Sequence, residues 1–191
     1  MRHWTHSHMK QFLLSLLDVG KVVVIAVVTV VLVRDFLVQP FLVSGLSMAP
    51  TFDNGDYLLI DELTYRFRLP ERGEVVVFRP PEDPHTFYIK RIIGLPGEAL
   101  ELRDGKVWII NDAHPEGVVL AEPYLSSGLV TAGKTLVLGN SEYFVMGDNR
   151  SYSKDSRTWG ALPAHNIVGI VRLRLWPIGK AQAFGAPQYN F

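Results

Sequence analysis

Residues 13–33 form an almost unbroken apolar run, and no other stretch restricts so severely what this chain can fold into. About 21 residues at 1.5 Å rise make a helix of about 31 Å, close to the hydrocarbon thickness of a bilayer. The β-branched part of the run, 22–33, puts apolar side chains on every helical face rather than along one stripe, which argues against a helix laid on a soluble core. Asp18 and Lys21 interrupt it near its start. Three apart, they share a face and can pair, with Lys21 reaching toward the interface. A cleaved export signal would have a shorter run with a small-x-small site behind it; here Arg34-Asp35 follow. The expectation is an uncleaved anchor over 13–33, with 1–12 as a mobile basic tail in the cytoplasm and 34–191 outside. That orientation rests on Arg2 and Lys10 before the run, against Arg34 and Asp35, which cancel beyond it. His3, His6 and His8 belong to the tail.

Composition removes several function classes. A length of 191 residues holds one domain, or one domain with an insertion. Net charge is zero and the basic residues are scattered, which gives no nucleic-acid footprint. There are no cysteines, so disulfides, thiolate metal sites and a cysteine nucleophile are excluded. Nothing calls for a metal or an organic cofactor.

Beyond residue 51 the pattern changes to short β-type runs separated by turn signals. Strands are expected at 57–60, 75–78, 87–93, 135–138, 143–146 and 167–176, with a hairpin at 100–110 turning at Asp104-Gly105. Residues 111–133, rich in Gly and Pro, read as a loop-rich part of a smaller inserted region spanning 100–143. A short helix is conceivable only around 121–126. The fold class expected is mainly β: an N-terminal transmembrane helix followed by an antiparallel β-sheet domain with a short β insertion.

Two serines, Ser44 and Ser47, stand in an irregular, proline-stopped turn just past the apolar run, and either is a candidate nucleophile. His85, His114 and His165 lie in turn-like stretches and read as surface residues rather than as a base. Lysine is the alternative, and Lys90 stands out inside the apolar strand Phe87-Tyr88-Ile89-Lys90-Arg91-Ile92-Ile93. Alternation puts Tyr88, Lys90 and Ile92 on one face and Ile89, Arg91 and Ile93 on the other. An ordinary lysine, with a pKa near 10.4, is only about 0.04% neutral at pH 7. A base with a pKa of about 7–8 needs about 4 kcal/mol of desolvation, which burial can supply. Taken alone, Lys90 reads more readily as a lysine flanking a sheet edge. The third unusual stretch, 147–160, is dense in polar residues directly after an apolar strand, and Asp155 and Arg157 in it can pair.

Together these stretches resemble the bacterial type I signal peptidases, membrane-anchored serine/lysine proteases. Ser47-Met48-Ala49-Pro50-Thr51 is similar to the family's Ser-Met-x-Pro-Thr box, and Asn54-Gly55-Asp56-Tyr57 to the next. Arg72-Gly73-Glu74 with the apolar run behind it, and Tyr88-Ile89-Lys90-Arg91-Ile92-Ile93-Gly94, resemble the box that carries the base. Gly147-Asp148-Asn149-Arg150, Ser153, Asp155-Ser156-Arg157 and Gly160 resemble the last. The order of the boxes behind an apolar run makes the likeness specific.

The resemblance implies Ser47 as nucleophile, Lys90 as general base, Ser153 placing the lysine amine through a hydrogen bond, and Asp155 with Arg157 bracing the site as an ion pair. It implies an oxyanion bound by the Ser47 N–H. Some members add a serine hydroxyl two residues earlier; here that position is Gly45, with Ser44 one further back, as in members that lack the hydroxyl. The implied substrates are exported preproteins with signal peptides, cut after small residues at −3 and −1, at the outer face of the cytoplasmic membrane. Phe41, Leu42 and Phe52 are candidates for the lipid interface or for the core. Two other readings share parts of the pattern. A self-cleaving repressor-type Ser/Lys protease would open with a DNA-binding helical domain, where this chain has the apolar run. A tethered β module that binds a partner would leave Ser47 and Lys90 idle.

Overall fold

The computed structural model describes residues 3–36, 38–125, 133–187 and 189. It divides into two units, Met1–Val38 and Gln39–Phe191.

The first unit is helix α1, His3–Phe36. Residues 3–12, expected as a mobile tail, are thus helical. The side chains described on α1, those of 14–30, are exposed on all sides, and Lys21 Nζ meets Asp18 Oδ1 at 3.0 Å, as their spacing requires. Among the described residues no helix is long and apolar enough to cross a membrane. The 14–30 stretch covers about 25 Å, against a hydrocarbon core of about 30 Å.

The second unit is built from strands β1 (Val38–Leu42), β2 (Tyr57–Asp61), β3 (Val75–Phe78), β4 (Tyr88–Gly94), β5 (Ala99–Arg103), β6 (Lys106–Asn111), β7 (His114–Val119), β8 (Lys134–Val137), β9 (Glu142–Met146), β10 (Leu162–Pro163), β11 (Ile167–Trp176) and β12 (Gln182–Ala183), with a short helix α2 (Ser156–Trp159). The larger sheet runs β1-β2-β11-β3-β4-β9-β10, with β12 also paired to β11; the smaller runs β7-β6-β5-β8. Every pairing with a described register is antiparallel.

Alternating apolar residues divide the core. Leu58, Ile60, Val75, Val77 and Val171 pack with Val43, Met48 and Phe52 from the β1–β2 loop. Val76, Phe78, Ile92, Tyr143, Val145 and Leu162 form a second cluster. Ile93, Phe144 and Met146 of the larger sheet pack with Leu100, Leu102, Val107 and Ile109 of the smaller one. The β5–β6 hairpin turns at Asp104 and Gly105, both at positive φ, the conformation that a two-residue turn between twisted strands needs.

Three expectations change. Residues 114–119, read as loop, form β7, because Val118 and Val119 pair with Ile109 and Trp108 despite Pro115 and Gly117. The described part of 121–126 is a turn rather than a helix. Phe52 is fully buried, packed against Phe184, so it belongs to the core and not to a lipid-facing surface.

Candidate active site

The loop between β1 and β2 carries both candidate serines, and its ends are closed by backbone bonds from Val43 N to Asp56 O and from Gly55 N to Val43 O, each 2.9 Å. Met48 and Phe52 drop into the core below it. Pinned on both sides of the turn, Ser47 stays half-buried at the surface. Gly45 sits at φ +102 and donates its N–H to Asn54 Oδ1 at 2.9 Å. Side chains rarely adopt that backbone conformation. The loop geometry itself therefore selects glycine at 45.

Strand β4 delivers Lys90 from the neighbouring part of the sheet, paired with Val76 of β3. Its Nζ lies 2.7 Å from Ser47 Oγ and donates to Ile89 O at 2.8 Å. The Tyr88 ring, on the same face, stands 5.5 Å away. Lys90 is 4% exposed. Burial disfavours its charged form and lowers its pKa to about 8, against the opposing pull of Asp155 and Asp148. His85 and His165 are exposed.

Behind the serine, the turn after β9 supplies the second wall. Asn149 N donates to Ser47 O and Asn149 Nδ2 to Leu46 O, each at 3.0 Å. Asp148 accepts from Thr51 Oγ1 at 2.5 Å and from Arg91 Nε and Nη2 at 2.9 and 2.6 Å. Arg91 also donates to Gly73 O and lies 4.0 Å from the centre of the Tyr124 ring. This buried carboxylate thus ties the serine loop to β4. The residues were present in the sequence motifs, but their pairing was not: alternation showed that Arg91 faces away from Lys90 and gave no partner for it.

Asp155 caps α2, accepting from Gly147 N at 3.0 Å and Arg157 N at 3.2 Å, and pairs with Arg157 Nε and Nη2 at 2.8 and 2.9 Å. Burial pushes its carboxyl up, but the bonds and charge of Arg157 and the Gly147 N–H hold it below the usual carboxylate value. Ser153 differs from expectation. Its Oγ is buried and makes no hydrogen bond among the described residues, to Lys90 or to any other group. A Cβ added at Gly147 would stand 2.3 Å from Ser153 Oγ and 2.4 Å from Ser47 O, so all three residues converge where a side chain on 147 has no room.

An apolar pocket of about 100 Å³ adjoins the pair, lined by Phe41, Leu42, Ser44, Phe87, Tyr88 and Ile89 among others. No group of side chains suited to a metal ion occurs among the described residues.

A family model described as signal peptidase, peptidase S26, matches residues 16–176. The chain is 36% identical over 169 residues to a probable signal peptidase I-2 of Synechocystis sp., covering 86% of this chain and 75% of the relative. It is 36% identical over 162 residues to signal peptidase I V of Bacillus subtilis, covering 78% and 92%. A similar identity, 36% over 165 residues, relates it to the chloroplastic thylakoidal processing peptidase 1 of Arabidopsis thaliana, of which 47% is covered. The crystal structure of a signal peptidase I from Enterococcus faecalis aligns with a TM-score of 0.44 and 30% identity over 54% of this chain and 97% of that one.

Proposed function

This chain belongs to the signal peptidase family, peptidase S26, and from that premise we propose that it is a membrane-bound serine endopeptidase removing N-terminal signal peptides from exported preproteins. The observation that carries the mechanism is the 2.7 Å contact between Ser47 Oγ and the buried Lys90 Nζ.

With the amine neutral, the Ser47 hydroxyl donates to its lone pair. Oγ attacks the scissile carbonyl carbon as Lys90 takes the proton, and the charge developing on the carbonyl oxygen meets the Ser47 N–H, which donates to no backbone carbonyl among the described residues. Collapse breaks the C–N bond, and Lys90 returns the proton to the leaving amine. Water, deprotonated by Lys90, then attacks the acyl-serine and releases the signal peptide. Asp155 and Arg157 brace the turn behind the serine. Ser153 packs against Gly147, and placing the amine falls to the Ile89 carbonyl. Small residues at −3 and −1 suit a pocket of about 100 Å³ walled by Phe41, Phe87 and Ile89. Single-pass anchoring by 13–33, with the N-terminus in the cytoplasm and the β unit on the outer face, draws its support from the apolar run, the exposed side chains of 14–30 and the placement of Arg2 and Lys10.

The test is cleavage of a preprotein by the full chain in detergent. Wild type is expected to cut after a small-x-small site. Ser47→Ala and Lys90→Ala are expected to lose cleavage while retaining a cooperative unfolding transition. Cleavage by Lys90→Ala at the wild-type rate would end the Ser/Lys reading.

A further inference from the structure

A second cavity, of about 420 Å³ and polar where the first is apolar, lies farther back along β1 from the Ser47–Lys90 pair. It is lined by Gln39, Glu62, Arg79, Phe87, His165 and Asn166 among others. The two cavities share Phe87, which meets Phe41 edge-on at 5.3 Å and marks the boundary between them. Going from Ser47 through the small pocket, the wall runs backward along β1 from Ser44 to Phe41 and reaches Gln39 in the polar cavity. A peptide with its −1 and −3 side chains in the small pocket therefore sends the residues before them into this one. At about 3.3 Å per extended residue, with alternate side chains on one face, these are the positions about five to seven before the cut.

Two groups in the cavity have unused hydrogen-bonding capacity, although the charges of Arg79 and Arg66 act on Glu62 from a distance. Glu62 Oε1 is buried and accepts no hydrogen bond. The Arg79 guanidinium lies over the Phe87 ring at 5.0 Å with no carboxylate at ion-pair distance among the described residues. Arg79 is fixed at its backbone, where its N–H donates to Asn166 O at 3.0 Å and its carbonyl accepts from Asn166 Nδ2 at 2.8 Å. The cavity thus offers an acceptor in the Glu62 carboxylate and donors in the Arg79 guanidinium. An acidic side chain satisfies Arg79 and is repelled by Glu62, and a basic one does the reverse. A carboxamide serves both, its carbonyl accepting from Arg79 and its NH₂ donating to Glu62.

Resting on the proposed function above, we infer that this cavity is a substrate subsite for a Gln or Asn side chain five to seven residues before the scissile bond, read by Glu62 and Arg79. The experiment measures kcat/KM for peptides with a fixed small-x-small site, carrying Gln, Glu, Lys or Ala in turn at each position from −4 to −8. Enzymes are wild type, Glu62→Gln and Arg79→Gln. At one position in that window wild type prefers Gln over Ala by about fivefold to tenfold, mainly through KM, as one or two exposed polar contacts allow. Glu62→Gln shifts that preference to Glu and Arg79→Gln shifts it to Lys, both gains that a merely damaged fold would not produce. A flat profile in wild type, or one that neither substitution moves, overturns the subsite while leaving the cut at −1 intact. Failure of wild type to cleave any peptide instead overturns the proposed function on which it rests.

Discussion

The pH dependence of cleavage tests the central claim about Lys90, because burial leaves a quantitative mark. Its pKa falls from 10.5 to about 8, a difference of about 3 kcal/mol between the charged and neutral forms. An ordinary lysine is about 0.04% neutral at pH 7, whereas one near 8 is about 9% neutral, a gain of about 200-fold in usable base. Expressed as kcat/KM, which reports the free enzyme, the rate should climb about tenfold per pH unit below about 7.5, pass half-maximum near 8 and level off above about 9. The same shift appears in stability. The folded pKa lies below the unfolded one, so between about 8 and 10.5 the unfolded chain binds more protons and stability rises with pH. Below 8 the burial cost of about 3 kcal/mol is present in full. Lys90→Met removes that cost and also the bonds to Ser47 and Ile89, each worth about 1 kcal/mol. The variant should therefore unfold about 1 kcal/mol later than wild type at pH 7, and about 2 kcal/mol earlier near pH 10.5. Denaturant titrations of both proteins at the two pH values measure this crossing. A stability difference that does not change with pH, or a rate limb at 10 or above, would refute a buried lysine acting as the base.

Other outcomes follow from the packing around the pair. Gly147→Ala drives a methyl into Ser153 Oγ and the Ser47 carbonyl; kcat/KM should fall by at least about 100-fold, since displacements of about 1 Å in such sites cost that much. Asp148→Asn leaves Arg91 buried without its counter-charge and should lower stability by about 3–5 kcal/mol in denaturant unfolding. Thr51→Val removes one bond to the same carboxylate and should cost about 1–2 kcal/mol. Combined with Asp148→Asn it should cost much less than the sum, and strict additivity in that double-mutant cycle would separate the two groups.

Much of this is legible in the sequence because local chemistry marks it. The β-type runs at 75–78 and 167–176 coincide with β3 and β11, and the Asp104-Gly105 turn fixes its hairpin. Lys90 was visible as a charge inside an apolar strand. What stayed hidden depends on distant partners. The strand β7 exists because β6 offers it a free edge, which outweighs the Pro and Gly within it. Arg91 and Asp148 were both in view, but a one-dimensional pattern does not say which carboxylate closes over which guanidinium. Ser153 is the sharpest difference: a family pattern assigns it to the lysine, whereas here its hydroxyl turns against Gly147.

The fastening around Asp148 also sets when the enzyme can act. The contacts that assemble the site join residues 43, 57 and 97 positions apart. Loops of such length close late, after local hairpins, because their ends must be brought together before any contact rewards it. A newly made chain therefore carries its serine, its lysine and its carboxylate without a working site. On the proposed mechanism, cleavage therefore requires the finished tertiary structure.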